Sequence, residues 1–214
     1  MMSGPNHPEQ QQELLDRLCA YLRERFSCET VILYGSRARG DWDHASDIDV
    51  IAFGNAGETP HIAHRWEDLF LDLFLYPPRT SPTSDWLRIN DGQVLFQNET
   101  DGDDALATTR AMFSLGPEQM SEADRQTTKL WLDKMLSRAE KGDAEGDYRR
   151  HWLLKEMLEI YFNLRGRWYL GPKKSFAVLR DESPTHFDLL RRAIAPDAGL
   201  TELRAAIEVV KGPG

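Results

Sequence analysis

The chain has 214 residues, a formal net charge of −9, 41% apolar residues and 29% charged residues. That length suits one large domain or two small ones with a proper core, and two compact halves are expected. No apolar run is long enough to cross a bilayer, which argues against a membrane span, and the negative charge argues against nucleic-acid backbones as partners. The opening MMSGPNHPEQQQ has neither the basic nor the apolar segment of a leader. It reads as a loose polar tail, and a cytoplasmic location is expected. Only Cys19 and Cys28 occur, with no His or Cys at metal-ligand spacing, so both are expected to be reduced structural thiols.

In chain order, Leu15, Leu18, Cys19, Leu22 and Phe26 recur at helical spacing over residues 8 to 26 and predict an amphipathic helix. Ser27 to Thr30 turn into a strand, Val31-Ile32-Leu33-Tyr34, which Gly35-Ser36 ends. A short helix starting at Ser36 would direct free N–H groups at an anion above the strand, and Gly35 would allow close backbone approach. Arg37 and Arg39 lie in the same turn and are candidate anion contacts. Asp41 and Asp43 read as turn or capping residues, and His44 as loop. Asp47 to Phe53 then forms a second strand. Side chains alternate along it, so Asp47, Asp49, Ile51 and Phe53 share one face.

Two carboxylates projecting together from an apolar strand repel one another and need a cation or hydrogen bonds. Magnesium, which takes one or two protein carboxylates and completes its shell with water and phosphate oxygens, suits such a pair. Residues 61 to 67 read as a connection or short helix. Asp68 to Tyr76 reads as a strand, with Phe70, Asp72, Phe74 and Tyr76 on one face. Asp72 is a lone acid among large apolar residues and a candidate third ligand. Residues 86 to 90 and 93 to 98 flank Asp91-Gly92 as a hairpin or a helix-to-strand turn, with the later strand at the sheet edge. A helix over 103 to 113 follows, and Gly116-Pro117 marks the domain boundary.

Beyond it, helices are expected over 121 to 141, 147 to 169, 173 to 180, 184 to 193 and 201 to 210. The fold class is therefore α+β, with a small mixed-sheet domain at 1–115 and an all-α bundle at 116–214. Charge is uneven. Asp41 to Asp104 holds fourteen acids against three arginines, and all seven lysines come at Lys129 or later. Phosphate contacts from the first half must therefore come from Arg, hydroxyl or backbone N–H groups.

Gly35-Ser36, ten residues, then Asp47-Ile48-Asp49, with Asp72 on a later strand, resembles the nucleotidyltransferase superfamily that shares the palm of DNA polymerase β. The wording GSRARG…SDIDV is similar to bacterial minimal nucleotidyltransferases. A helical domain with a Tyr/Trp-rich long helix is similar in layout to the kanamycin-type enzymes. The resemblance implies that Gly35, Ser36, Arg37 and Arg39 bind a nucleoside triphosphate, and that Asp47, Asp49 and Asp72 bind two Mg²⁺ ions. It also implies in-line attack on the α-phosphorus, with Asp72 as third ligand or as base. Kanamycin-type enzymes add a carboxylate base from the helical domain. Glu156 and Glu159 are the candidates here, with Lys155, Lys173 and Lys174 as triphosphate contacts.

The leading expectation is transfer of a nucleotide, AMP from ATP, to a hydroxyl of a small-molecule acceptor. The acidic first half would suit a cationic, aminoglycoside-like one. A second is adenylylation of a partner protein's tyrosine, as minimal nucleotidyltransferase antitoxins do. A third is a non-catalytic nucleotide-binding module, disfavoured because all three acids and the Gly-Ser are present. Homodimerisation stays open. The Arg180 to His186 spacing matches that of toxin-type helical domains, but about one such match is expected by chance in this composition.

Overall fold

A computed structural model describes residues 8–55 and 61–212. The chain divides into two compact units, Met1–Leu115 and Gly116–Gly214. In the first, Pro8–Phe26 forms α1, Thr30–Tyr34 β1, Gly35–Arg39 α2 and Ile48–Phe53 β2. His61–Trp66 forms β3, Leu69–Tyr76 β4, Gln93–Phe96 β5 and Asp101–Leu115 α3, with a 3-10 turn at Ser84–Ile89. The five strands make one mixed sheet in the order β3-β4-β2-β1-β5. Only β2 and β4 run parallel.

Alternation along the strands decides what each sheet face does. Val31, Leu33, Ile48, Val50, Ala52, Leu71, Leu73 and Leu75 point one way and pack on Leu15, Leu18 and Leu22 of α1. Ile32, Tyr34, Ile51 and Phe53 point the other way, against Trp86, Ile89, Ala105 and Leu106 of the 3-10 turn and α3. Leu18, Leu22, Val50 and Leu73 are fully buried, each contributing about 1.5–3 kcal/mol. The second face also carries the acids. The stretch expected as a polar tail is helical from Pro8 onward, and its first seven residues lie outside the described residues.

Residues 61 to 67, expected as a connection or short helix, instead form strand β3, antiparallel to β4. Edge position explains the difference. His61, Ala63 and Arg65 face out and need no apolar character, while Ile62, His64 and Trp66 turn inward. There the Tyr21 hydroxyl lies 3.2 Å from His64 Nε2, and the Tyr21 and Trp66 rings sit 5.7 Å apart. Of the two alternatives at Asp91-Gly92, the helix-to-strand turn is the one formed, and β5 is an edge strand.

The second unit contains α4 (Glu122–Ala139), α5 (Ala144–Asn163), α6 (Gly171–Glu182), α7 (Pro184–Ala193) and α8 (Leu200–Lys211). Ser121 and Asp143 cap α4 and α5 by accepting from Asp124 N–H and Gly146 N–H. The core gathers Leu132, Met135, Leu153, Met157, Phe162, Leu190, Leu203 and Ile207. The second of these helices ends at Asn163 rather than running on to Tyr169. Side chains take over its last carbonyls: Arg165 donates to Tyr161 O at 3.0 Å, and Arg125 donates to Leu164 O. Arg165 also reaches Val209 O and Val210 O at 2.7 and 3.1 Å, tying α5 to α8. No helix among the described residues is long and apolar enough to cross a membrane.

Candidate active site

Pairing register builds the site. Asp49 on β2 stands opposite Asp72 on the parallel neighbour β4 and opposite Tyr34 on β1. All three project from the second face of the sheet, near the mouth of β2. Asp47 lies just ahead of β2 and is exposed, whereas Asp49 and Asp72 are half-buried. Gly35 sits tightly beneath them with φ of +74°, and a Cβ there would fall 2.1 Å from Asp49 Oδ2. Glycine is required at this position on both counts.

The carboxylates strain one another electrostatically. Burial, then the charges of Asp72 and Asp47, raise the Asp49 pKa to about 6, with Arg39 and Arg88 pulling the other way. Tyr34 shares this field. Burial pushes its phenol above the ordinary range, the acids add to the effect and Arg88 opposes it.

Just after Gly35 the backbone is held from two sides. Gln11 of α1 donates to Arg37 O at 3.0 Å, and Gln93 of β5 donates to Ala38 O at 2.5 Å. Gly40 ends α2 in the left-handed conformation. Ser36 is buried within this turn.

Arg37 departs from the expectation of an anion contact. It is only 3% exposed, and its guanidinium donates to Ser46 O (Nη2, 2.9 Å) and Asp47 O (Nε, 3.1 Å) while lying over the Trp42 ring. Its fork holds the loop that delivers Asp47 rather than reaching outward, because two adjacent carbonyls offer a buried guanidinium the partners it needs. Arg39 remains at the acid cluster, half-buried and paired with Asp41 at 3.2 Å and Asp91 at 3.3 Å. Asp43 is a turn residue, accepting from Ala45 N–H and from the Ser46 hydroxyl.

Two further residues join the face. His61 Nε2 lies 2.5 Å from Asp72 Oδ1, with its ring stacked on Phe74 at 4.2 Å. One oxygen of the third acid is thereby engaged by the edge strand. Arg88 of the 3-10 turn lies over the same Phe74 ring at 3.8 Å, within the electrostatic reach of Asp49. Sequence reading missed both. Residues 61 to 67 lack an apolar alternation, and a single arginine in a turn carries no pattern. The free thiols Cys19 and Cys28 are both buried.

Among the described residues, no three His, Cys, Asp or Glu side chains are already drawn together as a metal cluster. The donor set nevertheless fits a hard divalent cation, being all oxygen, with Asp49 raised by burial and then by its neighbours' charges. In the second unit Glu156 is on α5, paired with the exposed Lys155 at 3.3 Å. Lys173 and Lys174 open α6. Arg180 pairs with Asp181 at 3.3 Å, while His186 Nδ1 meets the Tyr161 hydroxyl at 2.8 Å.

A five-stranded mixed sheet with paired acids on parallel neighbours defines an α+β fold in the first unit. Residues 15–85 match the model of the nucleotidyltransferase domain, and this unit belongs to the nucleotidyltransferase superfamily. A solved nucleotidyltransferase-like protein from Exiguobacterium sibiricum is similar over 94% of this chain and 73% of its own, at 13% identity and a TM-score of 0.41. No curated protein sequence matches.

Proposed function

We propose that the protein transfers a nucleoside monophosphate, AMP from ATP, to a hydroxyl of a small-molecule acceptor. The observation that carries this is the register placing Asp49 beside Asp72 on parallel strands, directly over Gly35. Asp47 and Asp49 would hold Mg²⁺, with Asp72 serving as the base. When bound, the ions supply charge neutralisation for the triphosphate and a more acidic acceptor hydroxyl.

The chain's own groups do the rest. The backbone at Gly35 and the Ser36 hydroxyl hold phosphate oxygens, and Arg39 adds positive charge beside the acids. Arg37, through the Ser46 and Asp47 carbonyls, fixes where Asp47 presents its carboxylate. The acceptor oxygen bonds to the α-phosphorus as the bond to the bridging oxygen breaks, and pyrophosphate leaves. The hydroxyl proton passes to Asp72 Oδ2, since Oδ1 faces His61.

The test uses ATP labelled at the α-phosphate, Mg²⁺ and a library of hydroxylated acceptors, amino sugars included. Label should move to an acceptor with release of pyrophosphate, and Asp47→Ala should abolish it. Full transfer by that variant would sink the proposal.

A further inference from the structure

The helical unit carries a cleft of about 380 Å³ between α4 and α5, lined by Thr127, Thr128 and Trp131 on one helix and by Trp152, Glu156 and Ile160 on the other. That volume falls within the range of small-molecule sites, about 300–1,000 Å³. Trp131 packs partly against the core, but Trp152 does not and is 41% exposed. On α5, Tyr148 and Trp152 are the large hydrophobic side chains left exposed, and of the two Trp152 lines the cleft. The two indoles meet edge to face, with centroids 6.1 Å apart at 70°.

Charge selects what can enter. Glu156 stands one helical turn beyond Trp152 on the same face, 31% exposed. Its neighbour Lys155 is 81% exposed, and such a surface pair holds weakly, so an incoming cation can displace it. Lys155 and Arg149 stand beside the cleft but are not among the residues that line it. The negative field extends further: Tyr169 has its phenol raised by burial and then by Glu159 and Glu156. The Trp152 ring is already shown to accept a cation, with the Arg149 guanidinium 5.5 Å from its centroid. An anion would meet a carboxylate and the negative faces of two indoles. A neutral apolar molecule would strip water from Glu156 and return nothing. Thr127 donates its hydroxyl to Ala123 O, so its oxygen is left as a further acceptor at the rim.

We infer that this cleft is a binding site for a small organic cation with an apolar or methylated body, held between Trp131, Trp152 and Glu156. The inference does not rest on the nucleotidyl-transfer reading, because it involves neither ATP nor the acids of the first unit.

The test is a titration of the full ¹⁵N-labelled chain with choline, and with 3,3-dimethylbutan-1-ol as its neutral isostere, following the indole N–H signals. Choline should shift the Trp131 and Trp152 signals saturably, and the isostere should bind at least about five-fold more weakly. Glu156→Gln should weaken choline by a similar factor and leave the isostere unchanged. Trp152→Leu, a partly exposed position that leaves the core intact, should abolish the response with an unchanged circular dichroism spectrum. Equal binding of choline and the isostere, no saturable shift, or undiminished choline binding by Glu156→Gln would each overturn the inference.

Discussion

Asp49→Asn should make the protein more stable at neutral pH while removing its catalytic use. Asp49 is raised from 3.8 to about 6 by burial and by Asp72 and Asp47. For an acid raised on folding, the folded state holds the proton more tightly than the unfolded chain. The stabilisation from this group is therefore complete below pH 3.8 and lost as pH rises through about 6. Two pH units correspond to about 3 kcal/mol at most, and partial exposure of the carboxylate reduces this to about 1–2 kcal/mol. Asparagine has the same shape and no charge, so it should recover that amount near pH 7.5. For a chain of this size the gain is about 2–8 °C in Tm. The assay is thermal unfolding of both proteins in chelator, from pH 4 to 8. The difference should open between about pH 4 and 6 and plateau above, and Mg²⁺ with ATP should raise the wild-type Tm but not the variant's. A variant equal to or less stable than wild type at pH 7.5, or a gain independent of pH, would refute the reasoning.

Gly35→Ala places a side chain at φ +74° and 2.1 Å from Asp49 Oδ2. It should cost about 1–2 kcal/mol in backbone strain alone and lose transfer activity, read by chemical denaturation and the labelled-ATP assay. Arg37→Met leaves the Ser46 and Asp47 carbonyls without their donor. It should lower stability by about 1–3 kcal/mol and raise the Mg²⁺ concentration needed for half-maximal activity, since Asp47 is freed to move. The Cys28 thiol, pushed up to about 12 by burial, and the buried Cys19 should resist a thiol reagent at pH 8 in the native protein. Both should react once it is unfolded. Rapid native modification would contradict their burial.

Much of the site could be read in the sequence because it depends on local pattern. The alternation in Asp47 to Phe53 and in Asp68 to Tyr76 fixes which residues share a face, and within β2 and β4 the observed sheet keeps the apolar assignments. The lone acid in an apolar strand marked Asp72. Gly35, ending the first strand, marked a point of close backbone approach. Edge strand β3 was not legible: it buries one face only, and His61, Ala63 and Arg65 need no strand-like character. The long helix was overextended because Leu164 and the aromatic residues after it continue an apolar pattern. Arg165 and Arg125, by taking the terminal carbonyls, stop it at Asn163.

By itself, then, the sequence determined the two strand faces, the Gly35-Ser36 turn and the three acids, since a period of two and a spacing of ten residues are properties of the chain alone. Tertiary structure decided everything that requires one strand to choose a neighbour. The parallel pairing of β2 with β4 set Asp49 opposite Asp72. The antiparallel edge brought His61 to the Asp72 carboxylate, and the 3-10 turn laid Arg88 over Phe74. It also turned Arg37 inward, because a buried guanidinium beside two adjacent carbonyls is more stable paired there than extended toward an anion. The chemistry of the acids was legible in sequence; their partners came from residues far apart in the chain, where no local pattern reaches.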